Sequence, residues 1–473
     1  MLDIALIREK PDWVKEQIQK LNDENALARI DTIVELDEKR REIRTRTETG
    51  QAARNKLNKA MGKLRGNKKM DEAEKATRAI QATAAIEADD YDGASTIMDG
   101  TAKITPLAEY DSKVAFEDLM AALKSAGLKI DEGFEEIKRI EAELEENMLW
   151  IPNLPHKTVP VFDSEDQNVA HEPQGTFREF DFEPKPHWEL GPDLDIIDFE
   201  RGVKLSGTRF YILKGWGARL QRALISFFLD TARENGYTEV YVPYMVYGDM
   251  LYGSAQFPKF KDTVFSIDGE DKFMLPTAEV AVTNMHRDEI LEESDLPLNY
   301  VGHTPCFRSE KASAGRDVRG IKRVHQFEKV EMYKFTTPET SYDELEKITQ
   351  HAEGICAKLE IPYRRLEIVT GDLGFSATKK YDVEMWSAGT KEWLEVSSCS
   401  NTEDFQARRA MVRYYPQGTK KTQFVHTLNG SGLATPRVMI AIMENYQQAD
   451  GSVVIPEVLR PYLGGVEVIT KAE

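Results

Sequence analysis

The sequence predicts an α+β protein in two parts: a long helical hairpin, then a domain built on an antiparallel sheet flanked by helices. Three observations carry that prediction. A proline-free stretch from Ile30 to Leu64 places apolar residues at helical spacing. A second such stretch runs from Ser112 to Leu149 and is closed by Pro152 and Pro155. Beyond about Pro160 the composition shifts to Gly, Pro and aromatic residues. There, short β-branched runs such as Glu239-Val240-Tyr241-Val242 alternate with amphipathic helices such as Leu220 to Asn235.

In the first helix, Leu36, Ile43, Leu57 and Leu64 share one heptad position, with Gly50 as the missing member. The middle of this seam carries Thr47 and Arg54. In the second, Ile137, Ile140, Leu144 and Met148 are spaced by three or four, while Gly127 and Gly133 are expected to weaken or bend it. The two helices are of similar length and can pair as an antiparallel coiled coil. Between them, from about Met70 to Asp111, lies an insertion rich in Ala, Asp, Gly and Thr with no clear period. Short helices and a mobile cap are both open for it. The domain division expected is therefore 1–150 for the arm and 151–473 for the rest.

At 473 residues, 41% apolar and 30% charged, the chain has room for about two or three domains of ordinary soluble composition. No run approaches the roughly 18 apolar residues of a membrane span. Asp3, Arg8 and Glu9 interrupt the apolar start, so no signal peptide is expected. Cys306, Cys356 and Cys399 are scattered without a CxxC pair, which fits a reducing, cytoplasmic setting. The eight histidines show no zinc spacing, and no zinc is expected. The net charge of −19 argues against nucleic-acid binding only if charge is spread evenly. It is not. From Lys39 to Lys69 there are twelve Lys or Arg against two acids, and from Glu87 to Asp118 nine acids against two Lys. On charge alone the basic segment fits a solvated coiled-coil face and a nucleic-acid grip about equally.

The stretch from Gly302 to Phe335 concentrates the chemistry. A strand-like run ends in Phe307-Arg308-Ser309-Glu310, a polar loop spans Lys311 to Lys322, and a second alternating strand comes after it. Arg323, Phe327 and Glu331 are spaced by four, which on a strand puts all three on one face. An arginine, an aromatic plate and a carboxylate in a row suit a phosphate, a flat base and an amine or hydroxyl. Taken alone, such a hairpin is more often a solvated charged face.

That hairpin resembles motif 2 of class II aminoacyl-tRNA synthetases. Gly236 to Pro243, after a long helix, is similar to motif 1, and Gly430-Ser431-Gly432-Leu433-Ala434-Thr435-Pro436-Arg437 is similar to motif 3. The set LPTAE (275–279), FRSE (307–310), EVSSCSN (395–401) and NGSG (429–432), behind a basic helical arm, resembles the seryl-tRNA synthetase family in particular. The match covers nearly the whole chain.

The resemblance implies a class II antiparallel sheet acting on ATP, Mg²⁺ and L-serine. It implies that Arg308 and Arg437 are catalytic and that Arg308, Ser309, Glu310, Arg323, Val324, Phe327, Glu395, Val396, Ser397, Ser398 and Arg437 bind ATP. Glu395 and Ser398 would hold Mg²⁺, and Thr277, Ala278, Glu279, Arg308, Glu331 and Ser431 would hold serine. Lys39, Arg40, Arg44, Arg54, Lys56, Lys59 and Lys63 would contact tRNA(Ser), and tRNA(Sec) in a host that has it. A cytoplasmic homodimer is implied. The acidic insertion departs from the family's short inter-helix turn, and no residue is nominated for the proton lost in the transfer step. A ligase that loads a carrier protein and a catalytically dead RNA-binding paralogue are the alternatives. The basic arm speaks against the first, and the retained arginines and carboxylates against the second.

Overall fold

A computed structural model describes residues 1–107, 109–310 and 319–471. Most of the expected loop from Lys311 to Lys322 lies outside the described residues. The chain forms two compact units, one of residues 28–148 and one of residues 1–27 with 149–473.

The helical unit is the arm. Helices α1 (Ile4–Glu9) and α2 (Pro11–Gln19) precede α3 (Glu24–Gly66), which starts earlier than its apolar pattern because Asp23 accepts the Ala26 N–H at 3.0 Å. The insertion is not a featureless cap: it folds into α4 (Glu72–Glu87) and α5 (Tyr91–Asp99) before α6 (Ser112–Leu149) returns. Asp71 caps α4 and Asp90 caps α5, each accepting an N–H of the first turn. Ala76, Ala79, Ala82, Ile86, Ala94 and Met98 then bury against Leu57, Met61, Leu64 and Leu119. These small side chains carry no heptad, which is why their period was invisible. Helix α6 runs unbroken through its two suspect glycines. A Cβ on Gly133 would lie 2.4 Å from Thr47 Oγ1, and one on Gly127 would lie 3.1 Å from Arg54 Cζ. The polar members of the α3 seam thus face the glycines of α6, and small against large closes the gap.

The boundary expected at residue 150 groups the first residues with the arm, but the structure places residues 1–27 in the sheet unit. The Met1 ammonium donates to the Phe405 carbonyl, and Arg408 pairs with Asp3 at 3.0 Å. Partners some four hundred residues away along the chain thus commit the first helices to that unit.

The second unit is built on eight strands: β1 (Val169–Ala170), β2 (Thr238–Val240), β3 (Leu298–Phe307), β4 (Gln326–Thr336), β5 (Tyr363–Glu367), β6 (Lys379–Ser387), β7 (Glu392–Asn401) and β8 (His426–Ala434). Their spatial order is β1-β5-β6-β7-β8-β4-β3-β2. Every pairing is antiparallel except β2 with β3, which is parallel. The same unit contains the helices α7 (His187–Asp193), α8 (Trp216–Glu234), α9 (Ser341–Lys358) and α10 (Thr435–Tyr446). Apolar residues of α8, α9 and α10, among them Phe228, Ile348 and Met439, join Val330, Val383 and Val396 of the sheet in one core.

Candidate active site

A cleft of about 540 Å³ opens over β4, β7 and β8. Thr277, Glu279, Arg308, Glu310, Arg323, Val324, Phe327, Glu395, Val396, Ser397, Ser398, Ser431 and Arg437 all line it. Ser309, Ala278 and Glu331 do not. Ser309 turns away, its N–H donating to the Thr263 carbonyl at 3.0 Å and its hydroxyl to the Asp262 carbonyl at 3.3 Å. Ala278 is fully buried beneath the wall.

One half of the cleft is cationic. Arg308 follows the end of β3 and donates from Nε to the Pro276 carbonyl at 3.2 Å, its guanidinium 5.2 Å from the centre of the Phe327 ring. Arg437 donates from Nη1 to the Glu395 carbonyl at 2.6 Å and from Nε to the Lys322 carbonyl at 3.4 Å. Arg323 was expected on the strand with Phe327 and Glu331. The strand begins only at Gln326, so Arg323 reaches the cleft from irregular chain, and its side chain has no hydrogen-bond or ion-pair partner among the described residues. Glu310 holds a φ of 48°, and its carbonyl accepts from Arg209 at 3.0 Å.

The other end is a buried carboxylate pocket. Glu331 lies directly across the ladder from Ser431, is fully buried, and accepts from the Thr277 hydroxyl at 3.3 Å. Lys329 forms an ion pair with the same Glu331 oxygen, while Oε1 has no partner among the described residues. A buried acceptor left open is costly unless a ligand supplies the donor. Glu279 accepts from Gln406 at 2.6 Å; burial, then the neighbouring charge of Glu331, raises its pKa from 4.5 to about 7.

Two β-bulges decide what faces the cleft. Residues three apart on a regular strand point to opposite faces. Between β6 and β7, Asp382 pairs with Ser398 but Glu384 pairs with Glu395, so one residue of β7 is extra and Glu395 and Ser398 share a face. Between β4 and β8, Glu331 pairs with Ser431 and Lys329 with Ala434, and Leu433 takes a φ of 99°. Ser431 and Ala434 share a face for the same reason. Burial would raise the Glu395 carboxyl, yet Arg437, Lys380 and Arg308 together hold it below its ordinary value.

In the arm, the basic segment is less free than its count suggests. Lys39 pairs with Glu136 at 3.2 Å, Arg40 with Asp37 at 2.7 Å, Arg54 with Asp131 at 3.2 Å and Lys56 with Asp92 at 3.0 Å. Arg44 pairs with Glu141. Lys59 and Lys63 have no ion pair among the described residues. The antiparallel return brings the acids of α5 and α6 beside the cations of α3, which a residue count along the chain cannot register.

Two family models match: the seryl-tRNA synthetase N-terminal domain over residues 1–93, and the class II tRNA synthetase core domain (G, H, P, S and T) over residues 261–446. The chain is 50% identical to the serine–tRNA ligase of Roseiflexus sp. (strain RS-1), covering 100% of both, and 49% identical to that of Herpetosiphon aurantiacus, covering 99% of this chain and 100% of the relative. The chain belongs to the seryl-tRNA synthetase family. Among solved structures, this family member is similar to the seryl-tRNA synthetase of Pyrococcus horikoshii complexed with ATP, with a TM-score of 0.85, 36% identity and 100% of both chains covered. It is also similar to the cytoplasmic serine–tRNA ligase of Naegleria fowleri in complex with AMP, at a TM-score of 0.82 and 30% identity, covering 100% of this chain and 99% of that one.

Family motifs alone did not nominate Lys329, Lys380, Asp382 or Gln406. Lys329 and Lys380 line the cleft, and Lys380 pairs with Asp382 at 3.2 Å. The signal was present for the last two: a lysine and an aspartate two apart in Lys379 to Trp386 share a strand face. Gln406 lies on a short helix, Phe405–Ala410, with nothing in its sequence to mark it.

Proposed function

We propose that this protein activates L-serine with ATP and transfers it to the 3′ end of tRNA(Ser), and to tRNA(Sec) in a host that has one. The observation that carries the proposal is the division of one cleft into an arginine-lined half and an end walled by Thr277, Glu279 and Ser431, behind which the buried Glu331 keeps Oε1 without a partner among the described residues. Guanidinium groups match phosphate oxygens, and an open buried acceptor matches a small hydroxyl.

Arg308 holds the α-phosphate and the serine carboxylate, since a guanidinium fork can bridge two anionic groups. Phe327 stacks beneath the adenine, which requires the Arg308 guanidinium to leave the ring face on which it now rests. Arg437 covers the other face of the base and reaches the γ-phosphate. Glu310 accepts from the adenine amino group, Val324 contributes backbone, and Arg323 steadies the terminal phosphates. Thr277 and Glu279 take the serine ammonium against the wall that Ala278 seals, and Glu331 with Ser431 takes the hydroxyl. Alanine and glycine would leave those groups unpaired. The serine carboxylate then attacks the α-phosphorus, an O–P bond forms, and pyrophosphate leaves. Positioning and charge neutralisation carry that step.

Mg²⁺ suits the residues present. The bulge aims Glu395 and Ser398 to one face, and Asp382 beside them keeps a buried Oδ1 without a partner among the described residues. Oxygen donors of this kind suit a hard cation, which when bound supplies charge neutralisation to the phosphates. Val396 and Ser397 support that edge, the Ser397 hydroxyl donating to the Ser431 carbonyl at 2.6 Å.

Lys39, Arg40, Arg44, Arg54, Lys56, Lys59 and Lys63 of the arm, residues 28–148, bind tRNA phosphates; Lys39, Arg44, Arg54 and Lys56 exchange exposed ion pairs for a polyanion. A homodimer is supported by Tyr241 in the motif 1 segment and Met245 and Tyr247 just after it, all large apolar side chains left exposed. Among the described residues no helix is long and apolar enough to cross a membrane, in keeping with a cytoplasmic enzyme. The deciding test is ATP–pyrophosphate exchange with each of the twenty amino acids, followed by tRNA charging. Exchange with serine alone is expected. Exchange with another amino acid, or with none, overturns the proposal.

A further inference from the structure

A fully buried histidine that the mechanism does not use touches the chain just ahead of Arg323. His187, the first residue of α7, is 1% exposed. Its Nε2 accepts the Ile321 N–H at 3.1 Å, so the ring proton sits on Nδ1, which donates to Glu444 Oε1 at 2.9 Å. Glu444, on α10, is itself fully buried and also receives the N–H groups of His187, Gly389 and Thr390 at 2.9, 2.9 and 3.1 Å and the Ser387 hydroxyl. Five donors therefore fix the carboxylate, and the carboxylate fixes the ring.

The neighbouring residues grip the same chain. The Arg319 guanidinium lies 4.5 Å from the centre of the Trp188 ring. Gly320, between the two contacts, has a φ of 70°, and a Cβ there would fall 1.9 Å from His187 Nε2. Only glycine lets the backbone approach the ring so closely. Three consecutive residues, Arg319 to Ile321, are thus held by one His-Trp dipeptide. The next two enter the cleft: the Lys322 carbonyl accepts from Arg437, and Arg323 projects with no partner among the described residues.

We infer that His187 and Trp188 are positioning residues for ATP, a role that presupposes the nucleotide contacts proposed above for Arg323 and Arg437. They anchor residues 319–321 to α10, the helix that carries both Glu444 and Arg437. One rigid body then sets the two arginines, and Arg323 is oriented before ATP arrives instead of losing its freedom on binding.

Two amide substitutions separate the two bonds of the ring. In His187→Asn the amide occupies the Nδ1 position and can still donate to Glu444, but it falls short of Ile321. In His187→Gln it reaches the Nε2 position and can still accept from Ile321. Serine-dependent ATP–pyrophosphate exchange by the full chain is measured against ATP and against serine, with thermal unfolding alongside. His187→Asn leaves a buried N–H unpaired, and its KM for ATP is expected to rise about tenfold or more. The KM for serine should stay within about twofold. His187→Gln should recover most of the ATP affinity, and Trp188→Leu should raise the KM for ATP in the same direction. Gln no better than Asn, or serine and ATP constants rising together, overturns the inference in favour of a purely structural histidine. If the Asn variant does not fold, an unchanged KM for ATP in Trp188→Leu overturns it equally. Wild-type protein without serine-dependent exchange removes the functional proposal itself, and this inference with it.

Discussion

Arg308 lines the cleft, tethered from Nε to the Pro276 carbonyl, with its guanidinium on the Phe327 face that the proposed adenine must take. Arg308→Ala is expected to lower serine-dependent pyrophosphate exchange by about 10² to 10³ or more. Stability should change by about 1 kcal/mol or less, because the one hydrogen bond lost, to the Pro276 carbonyl, borders the cleft, where water can replace it; parallel exchange and thermal-melt measurements check both. Glu279 sets a pH dependence. Its carboxyl, raised to about 7 by burial and by Glu331, must ionise to meet the serine ammonium. The KM for serine is expected to fall as pH rises from about 6 to about 8, approaching tenfold per unit on the acid side, and Glu279→Gln should flatten that profile. The sign for stability is opposite. A carboxyl raised in the folded chain stabilises the ligand-free protein most below its ordinary 4.5, and that contribution is lost as pH rises through about 7. The motif residues were legible in the sequence because each combines an unusual side chain with a fixed neighbourhood. Lys329, Gln406 and the open oxygen of Glu331 were not, since their roles depend on what lies across the ladder.

At the scale of the element, the arm and the bulges show what a repeat can and cannot reveal. The seam of α3 looked broken at Thr47 and Arg54, and α6 looked weakened at Gly127 and Gly133. Each apparent flaw answers the other across the hairpin. Gly133→Leu is expected to destabilise the arm by about 1–3 kcal/mol through overpacking against Thr47 while leaving serine activation intact. Thermal unfolding together with pyrophosphate exchange would separate these effects, and loss of exchange would place Gly133 in the activation machinery. In the sheet, one extra residue in β7 and one in β8 turn residues three apart onto the same face. A period of two read from sequence puts Glu395 and Ser398 on opposite sides, and only the pairing partner shows where the parity changes.

The whole molecule divides its work between two units, and that division can be tested directly. Replacing residues 28–148 by a short linker should spare serine-dependent exchange, because the cleft lies entirely in the other unit. Charging of tRNA(Ser) should fall to background; undiminished charging would show that the arm is dispensable. Since the arm is proposed to hold phosphates, affinity for tRNA in the intact protein should fall steeply with salt. The compact helical unit ends at residue 148, just ahead of Pro152 and Pro155, because prolines stop a helix wherever they stand. The compact helical unit begins at residue 28 because the first 27 residues are held by long-range contacts to Phe405 and Arg408, hundreds of residues away. By itself the sequence determined the fold class, the hairpin, the order of the motifs and the chemical type of most site residues. The first two follow from local periodicity and composition, and the last two from the resemblance of the motifs to those of the family. Only the tertiary structure decided which cations of the arm stay unpaired, which strand residues face the cleft past a bulge, and how a buried histidine anchors Ile321. Those outcomes depend on the register of one segment against another, and register is a property of the packed pair.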